Sequence, residues 1–341
     1  MDRAQNADMK AQSALLALGF VVLALLIWQL RWVLLVLFGA VVVAVALDVL
    51  IDQLQSRSRL GRPQALMVVL AALLLAGFLI GRLLLPELIT QIQQLGNDLP
   101  ELISKLSSLL GNNPQLKSLD QAVSAGLSPD NLQSMGRQLL GVAGGAANSL
   151  VQVLLMALLA ILLALDPGSH RGMVVALTPR PARDEVRKLL DESRDALGGW
   201  LAGMTLSATT VFLLTWGGLA VLQAPLALLS ALVCGLLTFV PTIGPTAATL
   251  LPTGLALLQT PQLAVSVLIY RLVLQNLEAF LLTPLLLRKT VNLLPTVALM
   301  AQLSLGALLG LPGVLLALPL VVVLQVLMQR VVVHQVMDRW S

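Results

Sequence analysis

The length of its unbroken apolar runs constrains this chain more than any other feature. Residues 14–30, 33–54, 64–85, 146–165, 200–222 and 263–282 are built mainly of Leu, Val, Ala and Ile. A helix needs about 20 such residues to cross the hydrocarbon core of a bilayer. Composition closes off the alternative. Of 341 residues, 57% are hydrophobic and only 11% charged, against about 25% charged in an ordinary soluble domain. The polar stock cannot cover a water-soluble globule of this size, which excludes a soluble enzyme. A transmembrane barrel would show short alternating segments, whereas these runs are continuous. The expected fold is all-α, a polytopic membrane protein.

Breaks between the runs suggest four regions. Arg31-Trp32 separates the first two runs and Pro63 suits the start of a third helix, so residues 1–86 read as three transmembrane helices. Residues 87–145 are the long polar stretch. Leu88, Ile92, Leu95, Leu99, Leu102, Leu106 and Leu109 recur there at helical spacing, with breaks at Pro100, Pro114 and Pro129. That pattern predicts a small extracytoplasmic insert of short amphipathic helices. Residues 146–199 combine a fourth span, ended by Asp166-Pro167-Gly168, with a charged surface helix over Pro181 to Leu197. Residues 200–341 are apolar apart from Pro and Gly punctuation.

The formal net charge of +4 does not indicate a nucleic-acid partner, because the Lys and Arg residues flank apolar runs, where they act as orientation signals. With the N-terminus inside, Arg57, Arg59, Arg62, the Arg-rich stretch after the fourth span, Arg288-Lys289, Arg330 and Arg339 all fall inside. Both termini are then cytoplasmic.

The last region repeats a pattern. Trp200 to Leu222 is followed by two arms, Leu226 to Val240 and Thr246 to Leu258, around Pro241-Thr242-Ile243-Gly244-Pro245. Leu263 to Leu282 is followed by arms Pro295 to Leu309 and Val314 to Met328 around Gly310-Leu311-Pro312-Gly313. Each unit is a span plus a Pro/Gly-tipped helical hairpin, and the two start on opposite sides. The chain then has about eight membrane elements with the two hairpins in an inverted repeat, a construction of secondary transporters whose site lies near the midplane. Backbone groups freed at such tips persist in a membrane only where protein or a water-filled cavity satisfies them. The structural alternative is that the prolines merely kink packed helices.

Ionisable groups inside spans are costly and mark function by default. Glu278 lies one turn from Gln275 and two turns from Arg271 on one helical face, with Asn276 on an adjacent face. A carboxylate there can bind a cation, carry a proton or neutralise Arg271. Gln302 and Ser304 lie in an arm of the second hairpin, and Thr238 and Thr242 flank the tip of the first. Asp48 and Asp52, ending the second run, are expected at the interface near Arg57 and Arg59. Metalloprotease, nucleophile-elbow, P-loop and paired-cysteine motifs are missing, so neither an enzyme, a metal site nor a cofactor is expected. Without a P-loop, transport would run on an ion gradient or downhill. Cys234 reads as a small buried hydrophobe, and His170 and His334 as surface residues.

Several of these motifs occur in series in one known family. Phe239 to Pro245 with Pro252, then Gln275, Glu278, Pro284 and Pro295, then Gly306 to Gly313 and Pro319, resemble in order and spacing the signatures of the autoinducer-2 exporter family of bacterial membrane proteins. The resemblance covers essentially the whole chain. Thr242 replaces the usual Tyr of the first tip, and the apolar Ala279-Phe280 pair replaces a polar residue after the glutamate. The resemblance implies a homo-oligomeric transporter of the bacterial inner membrane. Members are associated with export of a quorum-sensing signal, autoinducer-2, and others with sodium/proton antiport.

The leading expectation is a secondary transporter of a small polar solute. Its site would comprise Glu278 as the proton or sodium position, Gln275, Asn276, Arg271, Thr238, Thr242, Gln302 and Ser304. Backbone at Gly244, Gly310 and Gly313 would join them, shaped by Pro241, Pro245, Pro284, Pro295, Pro312 and Pro319. A cation/proton antiporter and a non-transporting membrane scaffold are the alternatives, with an intramembrane hydrolase a distant third.

Overall fold

The computed structural model describes residues 2–111, 146–240, 243–282 and 294–330, and among these there are helices but no strands. In chain order the helices are α1 (Asp2–Gln55), α2 (Arg62–Gly111), α3 (Ala146–Leu165), α4 (Pro167–Ala176), α5 (Arg183–Val221), α6 (Ala227–Leu237), α7 (Ile243–Gln259), α8 (Pro261–Leu277) and α9 (Pro295–Leu327). A π-helical segment, Glu278–Leu282, continues α8. Five stretches are long and apolar enough to cross a bilayer, and six if the 87° bent pair α3–α4 counts as one span. The count of eight elements is therefore not reached by this measure, because the first two runs form one helix and the arms α6 and α7 are too short to qualify.

Four expected breaks are absent. The first two runs form one helix of 54 residues, about 80 Å at 1.5 Å per residue, of which Leu25–Gln55 is the candidate span. Arg and Trp are not turn residues and Arg is a good helix former, so nothing at Arg31-Trp32 reverses the chain. Instead Arg31 folds back over the Trp28 ring, 4.3 Å from its centroid. Likewise α2 passes through Pro86 and Pro100, so the boundary expected at 86/87 falls inside a helix. Residues 112–145 of the insert lie outside the described residues. Finally, the charged helix and the fifth span are one helix, α5, of 39 residues. Its Gly198 serves packing: a Cβ there would lie 2.8 Å from Val49 Cγ2 of α1.

Apolar clusters join these helices pairwise. Ala40, Ala44, Leu47 and Ile51 of α1 pack with Ala65, Leu66 and Val69 of α2 and Ala160 and Ala164 of α3. A second cluster joins Val42 to Leu197, Trp200 and Met204 of α5 and to Ala298, Leu318 and Val322 of α9. By contrast, α2 is buried over only 6% of its most apolar window, as expected of a helix facing lipid.

Along α5 the two proline-tipped segments run in opposite directions. Ala224 and Ala256 pack beside Leu219, Cys234 and Ala248 beside Val211, and Phe239 in the cluster of Trp200 and Met204. The first hairpin, α6–α7, thus descends α5 toward its charged end. Its turn is tight: Gly244 N–H donates to the Val240 carbonyl at 2.8 Å, and a side chain at Gly244 would collide with the Leu237 carbonyl. The second hairpin is α9 itself. Gly310 (φ 65°, ψ −150°) interrupts it in a region that only glycine adopts readily. The chain folds back there, since a Cβ on Gly306 would lie 2.8 Å from Val314 Cγ2 and one on Gly313 would collide with the Leu305 carbonyl. Val323 and Leu327 border Asp48 and Arg194, whereas Leu316 lies against Gly39. Moving from residue 327 to 316 therefore leads away from the charged end, and the Gly310 tip points opposite to the first.

Two side chains of α2 close the open end of the first hairpin. Leu229 N–H, an orphan donor of the first turn of α6, bonds Gln91 Oε1 at 2.8 Å, and Lys105 Nζ donates to the Leu258 carbonyl near the end of α7 at 2.9 Å. Leu88 and Leu95 pack beside them on Leu226, Leu229 and Leu255. This contact explains why the helix continues past Pro86 and Pro100. Leu226 itself sits at φ 51°, a conformation costing a non-glycine residue about 1 kcal/mol or more, and is held by burial at 5% exposure.

Candidate functional site

Two polar stripes meet where α5 and α8 cross the apolar interior antiparallel to each other. Tyr270 Oη donates to the Leu214 carbonyl at 2.6 Å, Arg271 Nη1 to Thr215 Oγ1 at 2.7 Å, and Ser207 Oγ to Glu278 Oε1 at 3.4 Å. Ser207 and Thr215 lie about two turns apart on α5, as Arg271 and Glu278 do on α8. The facing pairs form a ladder. Thr215 is fully buried and Arg271 is 2% exposed, while Glu278 is half-buried at the start of the π-helical segment. Single π turns inside α-helices recur at functional sites. Gly218 lets the α8 ring approach, since a side chain there would overlap Tyr270.

Arg271 and Glu278 share a helical face yet are not an ion pair; Arg271 donates to the Thr215 hydroxyl and Glu278 accepts from the Ser207 hydroxyl of α5. Among the described residues no carboxylate makes ion-pair contact with Arg271, and its Nε is buried without a partner. Beside them the only cysteine, Cys234, donates its thiol proton to the Ala248 carbonyl at 3.2 Å.

The other expected residues divide by position. Gln302, 3% exposed, donates from Nε2 to the Phe239 carbonyl at 3.1 Å, so an arm of the second hairpin holds the tip of the first. Its Oε1 is buried without a partner. Gln275 is half-buried. Asn276 is exposed and bonds back to the Leu272 carbonyl of its own helix at 2.7 Å, turned away from the ladder. Thr238 likewise bonds the Cys234 carbonyl at 3.1 Å, a local habit of Ser and Thr. Ser304, Gly310 and Pro312 are exposed, Pro245 is half-buried, and Gly244, Gly313 and Pro319 are buried. Pro295 occupies the first turn of α9. Thr242, Pro241 and Pro284 lie outside the described residues.

The charged end of the bundle is tied together by ion pairs. Asp48, 4% exposed, accepts from both Arg62 and Arg194. Arg194 also holds Asp52 and, at 3.1 Å, Asp195. Arg171 pairs with Asp191 at 2.6 Å, and Arg330 at the end of α9 pairs with Glu192 and, at 3.3 Å, with Glu185. A cavity of about 430 Å³ opens among these groups, lined by Phe38, Leu163, Val323 and Leu327 with Asp48 and Arg194.

Comparison with known proteins decides the family. The profile described as "AI-2E family transporter" matches residues 17–332. The chain belongs to this family. Similar proteins include "Putative transport protein YueF" of Bacillus subtilis, 22% identical over 79% of this chain and 77% of the relative. "Putative transport protein sll0060" of Synechocystis is 27% identical over 78% and 79%. "Putative transport protein MT0215" of Mycobacterium tuberculosis is 29% identical over 94% and 91%. This AI-2E family chain is thus a multi-pass membrane protein of a transporter family, as the serial motifs predict. Sequence reasoning missed Ser207 and Thr215 as partners of the charged pair. The available signal was a second polar stripe at two-turn spacing on the preceding span.

Proposed function

We propose that this protein is a secondary transporter moving a small polar solute across the bacterial inner membrane, with Glu278 as its proton or sodium position. One observation carries the reading: the Arg271–Thr215 and Glu278–Ser207 ladder lies beside two oppositely pointing hairpins joined by the Gln302–Phe239 bond. Helix breaks inside an oily bundle are where a polar solute finds backbone groups in place of water. The family name makes autoinducer-2 the first solute to assay. Basic residues favour the cytoplasm, so the end carrying Arg62, Arg171, Arg194 and Arg330 faces inward. The exposed apolar face of α2 is free for lipid or for a second copy in a homo-oligomer.

The deciding experiment is solute flux in proteoliposomes, with and without an imposed proton gradient. Gradient-dependent flux that Glu278→Gln abolishes is the expected result. Flux and ion dependence unchanged in that variant would remove Glu278 from the mechanism. Cation/proton antiport is a second reading, favoured by a carboxylate whose hydrogen bond comes from a hydroxyl rather than a cation. It predicts that collapsing a sodium gradient shifts the internal pH of the vesicles. A scaffold that moves nothing would show neither.

A further inference from the structure

The least compensated charge in the described residues is Arg271. A guanidinium stays protonated in proteins, and a buried charge is tolerated only when paired and hydrogen-bonded. Arg271 is 2% exposed, bonds one neutral hydroxyl through Nη1, and keeps Nε buried without a partner. Among the described residues no carboxylate forms a hydrogen bond or ion pair with it. From α5 come the hydroxyls of Thr215 and Ser207. The Cys234 thiol of α6 is spent on Ala248, and the Tyr270 hydroxyl of α8 on Leu214. The one carboxylate on its face, Glu278, lies two turns away and takes its bond from Ser207.

We propose that the Nε edge of Arg271 is an oxyanion site, and that the transported solute carries a carboxylate- or phosphate-type group which docks there. The inference rests on the transport reading for the word transported. The planar fork of arginine matches two oxygens of such a group, which the point charge of lysine does not. An anion arriving between Arg271 and Glu278 would put two negative charges against one positive. The site stays balanced if Glu278 takes up one proton from water as the anion binds. Anion and proton then enter together and leave together on the other side, and the uncharged Glu278–anion–Arg271 set is the occupied form of the site.

The test uses the full chain in nanodiscs of phosphatidylcholine, titrated with sodium acetate or inorganic phosphate against sodium chloride at constant ionic strength. Binding is followed by tryptophan fluorescence and proton uptake by an indicator dye in weak buffer. The expected result is saturable binding of one or both oxyanions with about one proton taken up per anion. Arg271→Lys should weaken it at least tenfold and Arg271→Gln remove it, while Glu278→Gln binds without proton uptake. If Arg271→Gln fails to fold, Thr215→Val replaces it and should weaken binding several-fold. No saturable binding of either anion, or binding unchanged in Arg271→Lys, overturns the proposal and leaves ordered water as the partner of Nε. Binding without proton uptake in the unmodified chain overturns the coupling. The two readings fail separately. Oxyanion binding at Arg271 in a chain that moves no solute sinks transport alone, whereas flux of a neutral solute indifferent to Arg271→Lys sinks the oxyanion site alone.

Discussion

Gln302 shows what a single residue does here. Its amide donates to the Phe239 carbonyl where the first hairpin turns. Gln302→Leu keeps the volume and removes that bond, which costs about 0.5–1.5 kcal/mol. A lowered thermal midpoint of the purified protein in detergent is the expected outcome. Ser304→Ala, two residues on but exposed, should change stability by no more than about 0.5 kcal/mol. At this scale the charged members of the site were legible, because Arg271 and Glu278 stand out in an apolar run. Their partners were not: Thr215 and Ser207 lie 56 and 71 residues earlier in the chain. Hydroxyls in a membrane helix read by default as bonded to their own backbone, as Thr209 and Thr210 in the same helix are.

Among the elements, the hairpins depend on glycine at fixed positions. Gly310 holds a positive φ and Gly313 lies on the Leu305 carbonyl with no room for a Cβ. Gly310→Ala should cost about 1–3 kcal/mol in backbone strain. Gly313→Ala should cost more, since the neighbouring atom is backbone and cannot swing aside. Unfolding in denaturant followed by circular dichroism would rank the two; equal stability of Gly313→Ala and the parent would mean the hairpin is looser than described. Tip glycines and prolines were readable from local chemistry alone. The long helices were not. Arg31-Trp32, Pro100 and Gly198-Gly199 look like punctuation, yet tertiary partners decide otherwise: α2 continues because it caps the first hairpin, and Gly198 brings α5 onto α1.

For the whole molecule, the ion-pair cluster at the charged end joins α1, α2, α3 and α5 through Asp48, Arg62, whose Nε reaches the Ala164 carbonyl at 2.9 Å, and Arg194. Burial separates two neighbouring acids there: the side chain of Asp48 is 6% exposed and that of Asp52 is 47% exposed. Removing a buried partner strands charge and costs about 3–5 kcal/mol. Because both arginines are about a quarter exposed, water screens part of that, and Asp48→Asn should cost about 1–3 kcal/mol. Asp52→Asn should cost less than about 1 kcal/mol. Thermal unfolding of the two variants side by side checks the contrast.

At the same scale the central claim is that the space between the opposed hairpins is a water-reached site serving both sides in turn. Cys234 is the only cysteine, so Cys234→Ser gives a clean background for Ser207→Cys beside Glu278. Reactivity of that thiol toward a membrane-impermeant reagent, applied from each side of sealed vesicles, tests the claim most directly. Labelling from both sides, slowed by transported solute, is the predicted result. Labelling from neither side, with reaction only toward a lipid-soluble reagent, would mean that the ladder is dry packing rather than a transport site.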